Sequence, residues 1–112
     1  MNALELDYTI SRKIKVMNKF GEVIRQRREE NELLLRHVAA QLDIDTAMLS
    51  KVERGERNVK REHVVLLSEI LDIEVNNLLT LWLADRVYEV VQDEENAIQA
   101  MKVAEEEIKY KK

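Results

Sequence analysis

Apolar residues recur along this chain with two different periods. From Leu4 to Val16 the period is two: Leu4, Leu6, Tyr8, Ile10, Ile14 and Val16 share one face, interrupted by Arg12, and Glu5, Asp7, Thr9, Ser11, Lys13 and Lys15 share the other. Such alternation predicts a short strand. Beyond Met17 the period is that of a helix. Phe20, Ile24 and Arg28 fall at four-residue spacing in a segment from Asn18, a suitable cap, to Glu30. Leu35, Val38, Ala39 and Leu42 mark a second helix, and Met48, Leu49 and Val52 a third. Val64, Leu67 and Leu71 mark a fourth, over Arg61 to Leu71. Leu78, Leu79, Trp82, Val87 and Val90 mark a fifth, over Val75 to Val91, longer than the closing helix of a monomeric domain requires. The last is expected from its cap Asp93 to Lys109, with Ile98, Met101, Ala104 and Ile108 on one side. No internal repeat or low-complexity tract stands out.

The junction of the second and third helices carries the functional signal. It is only Asp43-Ile44-Asp45. Asp43 tolerates the left-handed backbone of a sharp turn, Ile44 plugs the space between the helices, and Asp45 suits the next N-cap. Ala39 and Ala40 leave room for one helix to cross close above the other. Two helices joined in this way fit the helix-turn-helix, whose second helix enters the major groove of DNA.

This segment resembles the DNA-binding domain of the Xre/Cro type, which includes the Cro and lambda-type phage repressors. The matching residues are Val38, Ala39, Leu42, Ile44, Leu49 and Val52 together with the run Ser50-Lys51-Val52-Glu53-Arg54-Gly55, and the likeness spans about Phe20 to Leu83. It implies a mainly α fold: a five-helix, lambda-repressor-like helix-turn-helix domain over 18–83, to which the alternation adds an N-terminal strand arm over 1–17. An added C-terminal helix over 84–112 is expected to serve dimerisation. The resemblance also implies that Arg28 pairs with Glu53, at the end of the recognition helix, without touching DNA. Leu34 and Leu35 stand where relatives carry a small polar cap and a phosphate-contacting Gln, and Arg36 is positioned to replace that contact. Asp43 stands where Gly is common.

On this resemblance the residues facing the bases are Thr46, Ala47, Ser50 and Lys51. Lys51 can donate to guanine O6 or N7, and Thr46 and Ala47 offer methyl contacts to thymine. Arg36, Arg54, Arg57, Lys60 and Arg61 are the phosphate candidates, which position the protein without reading sequence. The plainer reading of such residues is an ordinary exposed helix face, and for Arg25 and Arg27 the solvated face is preferred.

Composition bounds the alternatives. The 112 residues suit one domain with modest extensions, and without cysteine there is no disulfide framework or thiolate site. No apolar run spans a bilayer, and charges interrupt Leu4 to Val16, so neither membrane segment nor signal peptide is expected and a cytoplasmic location is. The net charge of −4 opposes nucleic acid only on average. Residues 1–61 hold 13 Lys and Arg against 10 Asp and Glu, whereas residues 62–112 hold 5 against 12. Screening confines each field to about 8–10 Å at physiological salt, so the local balance governs binding. His37 and His63 have no second ligand at metal spacing. Glu105, Glu106 and Glu107 point in different directions from one helix. No phosphate loop or nucleophile–base constellation supports catalysis; neither enzyme, cofactor, metal nor small-molecule ligand is expected.

The sequence thus reads as a DNA-binding transcription regulator that grips double-stranded, near-palindromic DNA as a homodimer, in the manner of restriction–modification controllers or phage repressors. The alternative is a protein-interaction module or antitoxin that keeps the fold with weak or no DNA binding. Leu34, Leu35 and the acidic C-terminal half support that alternative, and the surface around Thr46 and Lys51 discriminates: basic for DNA, apolar for a protein partner.

Overall fold

A computed structural model describes residues 17–111. The strand expected over Leu4–Val16 lies outside the described residues. Among the described residues the chain is all-helical, in the order α1 (Lys19–Glu30), α2 (Leu35–Leu42), α3 (Thr46–Glu53), α4 (Arg61–Leu71), α5 (Val75–Val91) and α6 (Ala97–Lys111). The expected fold class, mainly α with a helix-turn-helix at its centre, is the one observed.

The helical stripes meet in one core. Phe20 and Ile24 of α1, Val38, Ala39 and Leu42 of α2, and Leu49 and Val52 of α3 pack with Val64, Leu67 and Leu71 of α4 and with Leu78 and Trp82 of α5. Val59, from the loop before α4, completes the cluster. Burying an aliphatic or aromatic side chain contributes about 1.5–3 kcal/mol, so this cluster is the main source of stability. By contrast, α6 buries none of its residues.

Four helices end by one device. The first residue past α2 and α4 and the second past α1 and α3 are left-handed: Asp43 (φ 56°), Asp72 (φ 55°), Glu32 (φ 56°) and Gly55 (φ 79°). After α2, the Ile44 N–H donates to the Ala39 carbonyl (3.0 Å) and the Asp43 N–H to Ala40 (3.2 Å); after α4, Ile73 donates to Ser68 (2.9 Å) and Asp72 to Glu69 (3.4 Å). These paired bonds satisfy carbonyls that a helix end otherwise leaves free. An apolar residue follows three of the four turns, and Leu33, Ile44 and Ile73 pack against the core. Of the four, only Gly55 adopts this backbone without a steric cost from a Cβ.

Two sequence expectations change. The sequence does contain a repeat, for Leu42-Asp43-Ile44-Asp45 is echoed by Leu71-Asp72-Ile73-Glu74. At the same offset Val38 matches Leu67, Leu49 matches Leu78 and Glu53 matches Trp82, each pair buried alike. The pair α2–α3 and the pair α4–α5 are therefore built on one pattern, disguised because the outward residues share nothing. The last helix also begins at Ala97 rather than Asp93, which sits exposed in a turn. The run Asp93-Glu94-Glu95-Asn96 has no apolar side chain to anchor a helical turn, and its adjacent carboxylates repel.

Candidate nucleic-acid interface

α3 is fastened on its inner side and open on its outer side. Leu49 and Val52 are buried, and Met48 is half-buried. Glu53 is buried at the helix end, where it meets Arg28 from α1. Arg28 Nε donates to Glu53 Oε2 at 2.7 Å and Nη2 to Oε1 at 3.0 Å, while Nη1 donates to the Leu33 carbonyl at 3.0 Å. The hydrogen bond to Glu53 raises the Arg28 pKa above its ordinary value, outweighing burial, which lowers it. Such a forked, charge-assisted contact fixes geometry as well as distance. It joins α1 to α3.

On the outer side Thr46, Ala47 and Lys51 are exposed and Ser50 is half-buried. Asp45 takes the N-cap backbone position, but its carboxylate makes no cap bond. Leu34 and Lys60 likewise cap α2 and α4 without a side-chain bond, whereas Glu74 caps α5 by accepting from Asn76 and Asn77 N–H. The first-turn amides of α2, α3 and α4 thus remain unclaimed by side chains, the arrangement that favours anions at helix N-termini. Asp43 and Asp45 oppose a phosphate at the start of α3. Arg36, exposed on α2, and Lys60 and Arg61 at the start of α4 favour one there.

Arg54 already has partners. Its Nη1 donates to Ser50 Oγ at 2.7 Å and its Nη2 to Glu56 Oε2 at 3.0 Å. The pairing raises the Arg54 pKa and lowers that of Glu56, chiefly through their hydrogen bond. A phosphate at Arg54 therefore competes with Glu56. Arg54 and Ser50 line a groove of about 290 Å³ with Arg25, Arg28, Leu35 and Glu53. The sequence reading left Arg25 on the solvated face. It is exposed and bonded to Glu29 at 3.0 Å, yet it lines the same groove as Arg54. Arg27 donates to the Asp72 carbonyl at 3.3 Å.

The loop carrying Arg57 and Lys60 is pinned from below. Val59 is buried, and its carbonyl accepts from Trp82 Nε1 at 3.0 Å. The Arg86 guanidinium lies 4.8 Å from the centre of the Trp82 ring. Arg57, Lys60 and Arg61 stay exposed above this anchor. The anchor was missed in the sequence, where Trp82 registers only as one member of an apolar stripe.

His37 is exposed, and His63 is half-buried with its Nδ1 buried and unpartnered. Among the described residues no three His, Cys, Asp or Glu gather as a metal site, and no helix is long and apolar enough to cross a membrane.

Comparison with known proteins agrees with this geometry. Residues 24–78 match the family model described as helix-turn-helix, which covers α2 and α3 entirely. No curated protein and no solved structure matches the chain. Residues 24–78 thus carry a helix-turn-helix of the Xre, lambda-repressor-like type, a DNA-binding domain of transcription regulators.

Proposed function

We propose that the protein is a sequence-specific transcription regulator that binds a near-palindromic DNA site as a homodimer in the cytoplasm. The observation that carries this reading is the two-sidedness of α3, with Leu49, Val52 and Glu53 buried and Thr46, Ala47 and Lys51 exposed beside unclaimed backbone amides. In this reading α3 lies in the major groove. Thr46, Ala47, Ser50 and Lys51 meet base edges, and Asp45 can accept from cytosine N4. Arg36, Arg54, Arg57, Lys60 and Arg61, joined by Arg25, hold the phosphates.

Two such helices read half-sites about 34 Å apart when the domain pairs across a two-fold axis. Pairing is supported by apolar side chains left open on the C-terminal elements: Leu83, Val87 and Val90 on α5 and Ile98, Val103 and Ile108 on α6. An arm over 1–17, a DNA-binding domain over 18–83 and a dimerising extension over 84–112 are part of this proposal. The role in this proposal is that of a restriction–modification controller or a phage-type repressor. Against the rival interaction module stands the exposed surface of α3, which holds Thr46 and Lys51 and no large apolar side chain; Leu34, exposed at the start of α2, stands for it.

Selection of bound duplexes from random DNA, followed by titration across a salt series, tests the proposal. Lys51→Ala is expected to relax preference at one position per half-site, costing about 1–3 kcal/mol for the preferred base. Arg57→Ala is expected to weaken all duplexes alike and to make the salt slope shallower by about 1 per monomer. Enrichment of no sequence by the wild-type chain would overturn the proposal.

A further inference from the structure

The end of α3, the start of α1 and the middle of α5 meet at one side chain, Asn18. Its Oδ1 accepts from the Gly21 N–H at 3.1 Å, which makes it the N-cap of α1. Its Nδ2 donates to the Glu53 carbonyl at 2.8 Å. That carbonyl is the last of α3, and the final four carbonyls of a helix lack partners within it. The other three are satisfied locally: Ser50 by Arg54 N–H (3.1 Å), Lys51 by Glu56 N–H (2.8 Å) and Val52 by Gly55 N–H (3.1 Å). Only Glu53 looks outside its own helix and turn for a donor, and Asn18 supplies it. Two glycines make the approach possible. A Cβ at Gly21 would collide with the Asn18 amide and the Glu53 carbonyl oxygen, and one at Gly55 would meet Asn18 Cγ at 2.8 Å.

The start of α1 is itself held from α5. Asp85 is buried on α5, and its two carboxylate oxygens accept from the Lys19 N–H (3.0 Å) and the Phe20 N–H (2.9 Å). Asp85 and Asn18 together satisfy the first-turn amides of residues 19 to 21. Glu53 is thereby attached to α1 twice, through its carboxylate by Arg28 and through its carbonyl by Asn18. One attachment sets distance; two separated along α1 also set rotation.

We propose that Asn18 is a positioning residue for DNA recognition: it ties the end of the recognition helix to the N-terminus of α1, which Asp85 fixes to α5, so that the tilt of α3 is referred to α5. This rests on the DNA-binding reading of α3. The same α5 bears the open apolar side chains Leu83, Val87 and Val90, so the element that carries the proposed pairing surface also sets the angle at which α3 meets the groove.

Asn18→Asp separates the two jobs of this side chain. Aspartate caps a helix as well as asparagine does, but it cannot donate to the Glu53 carbonyl. Asn18→Ser keeps a cap and is too short to bridge. The thermal midpoint and the affinities for the duplex enriched from random DNA and for a scrambled duplex of equal composition are measured for both. The expected result for Asn18→Asp is a midpoint lowered by about 5 °C, because the cap is kept while the Glu53 carbonyl loses its donor. In both variants the ratio of enriched to scrambled affinity falls by about fivefold to tenfold, the scale of one lost hydrogen bond. Asp85→Asn, whose amide oxygen serves only one of the two N–H groups well, lowers the ratio less. A purely structural role would not move this ratio, because a smaller folded fraction reduces both affinities equally. Without DNA, amide exchange at Arg54, Gly55 and Glu56 is expected to quicken in Asn18→Asp. Wild-type ratios and exchange in both Asn18 variants would overturn the positioning role. Failure of the wild type to enrich any duplex would overturn the DNA-binding reading instead, leaving the exchange measurement to decide whether Asn18 fastens α3.

Discussion

The pairs α2–α3 and α4–α5 share a plan and differ in what they show to the outside. In each, a left-handed Asp (Asp43 or Asp72) is followed by an inward Ile (Ile44 or Ile73), and a fully buried leucine (Leu49 or Leu78) seats the second helix. The outward positions diverge. Where α3 carries Ala47, Ser50, Lys51 and Arg54, α5 carries Asn76, Leu79, Thr80 and Leu83. The first set is polar apart from Ala47, whereas the second holds Leu79, packed against the core, and the exposed Leu83 beside two polar residues. The two helices also stop differently. Gly55 and Asn18 end α3 after eight residues, while α5 runs on for 17 and takes Val87 and Val90 beyond the core. Inner residues decide that two helices will pack, and outer residues decide what the packed unit is for. On the proposed function, one scaffold used twice supplies a DNA-reading helix and a pairing helix.

The largest effects are expected at the equivalent positions Glu53 and Trp82. Glu53→Ala strands the Arg28 charge and should cost about 3–5 kcal/mol; Trp82→Ala leaves a cavity and frees the Val59 loop, at about 3–5 kcal/mol. Urea unfolding followed by circular dichroism measures both. Replacing Arg28 and Glu53 together by Met and Leu should recover most of the loss, since an apolar pair has no desolvation cost to offset. Recovery would show that α3 can be held against α1 by packing in place of the ion pair.

A crossed pair of surface changes separates the two outward faces. Val90, 78% exposed, and Val87, 47% exposed, stand on the open side of α5. Val87→Glu should weaken self-association at least tenfold, about 1.4 kcal/mol, while the stability of the monomer stays within about 0.5 kcal/mol. Ala47→Glu should do the reverse, leaving association intact and removing DNA binding. Sedimentation equilibrium and duplex titration read the two outcomes, and equal effects of both changes on association would erase the proposed division of labour.

Matching turns predict matching responses. Asp43→Gly and Asp72→Gly each remove the steric cost of a left-handed backbone, about 1–2 kcal/mol, against a larger entropy loss of glycine, about 0.5–1 kcal/mol. Each should therefore raise stability by about 0.5–1 kcal/mol and shift the melting midpoint by a similar amount. Unequal shifts would mean that one Asp side chain contributes something its backbone does not reveal.

The smallest expected effect is at Glu56, which holds Arg54 away from a phosphate. Glu56→Gln should raise duplex affinity a few-fold at low salt, with the gain shrinking as salt screens the charge. The equivalent position in the second pair is Asp85. It is buried and bonds backbone amides instead, so no such gain is expected there.

Much of this architecture was readable from local order alone. The period of Phe20–Ile24 or Leu67–Leu71 follows from helix geometry, and Asp43-Ile44-Asp45 carries its turn chemistry within three residues. The surface around Thr46 and Lys51 was readable because the inward residues of α3 fix by elimination which ones face out. The contacts that aim that surface were not. Asp85 reaches the amides of residues 19 and 20 across 66 and 65 positions, Asn18 reaches Glu53 across 35, and Trp82 reaches Val59 across 23. A hydrogen bond between distant residues leaves no period in the sequence, because each partner looks locally like any other polar side chain. Helix periods, turns and the outward residues of α3 were thus determined by spacing along the chain, whereas a DNA groove as what they face was implied only by the resemblance. Apart from the Arg28–Glu53 pair, which the resemblance implied, the fastening of α3 to α1 and of α1 to α5 was decided only when the core brought unsatisfied helix ends together, where a buried carbonyl or amide must find a partner or bear the cost of lacking one.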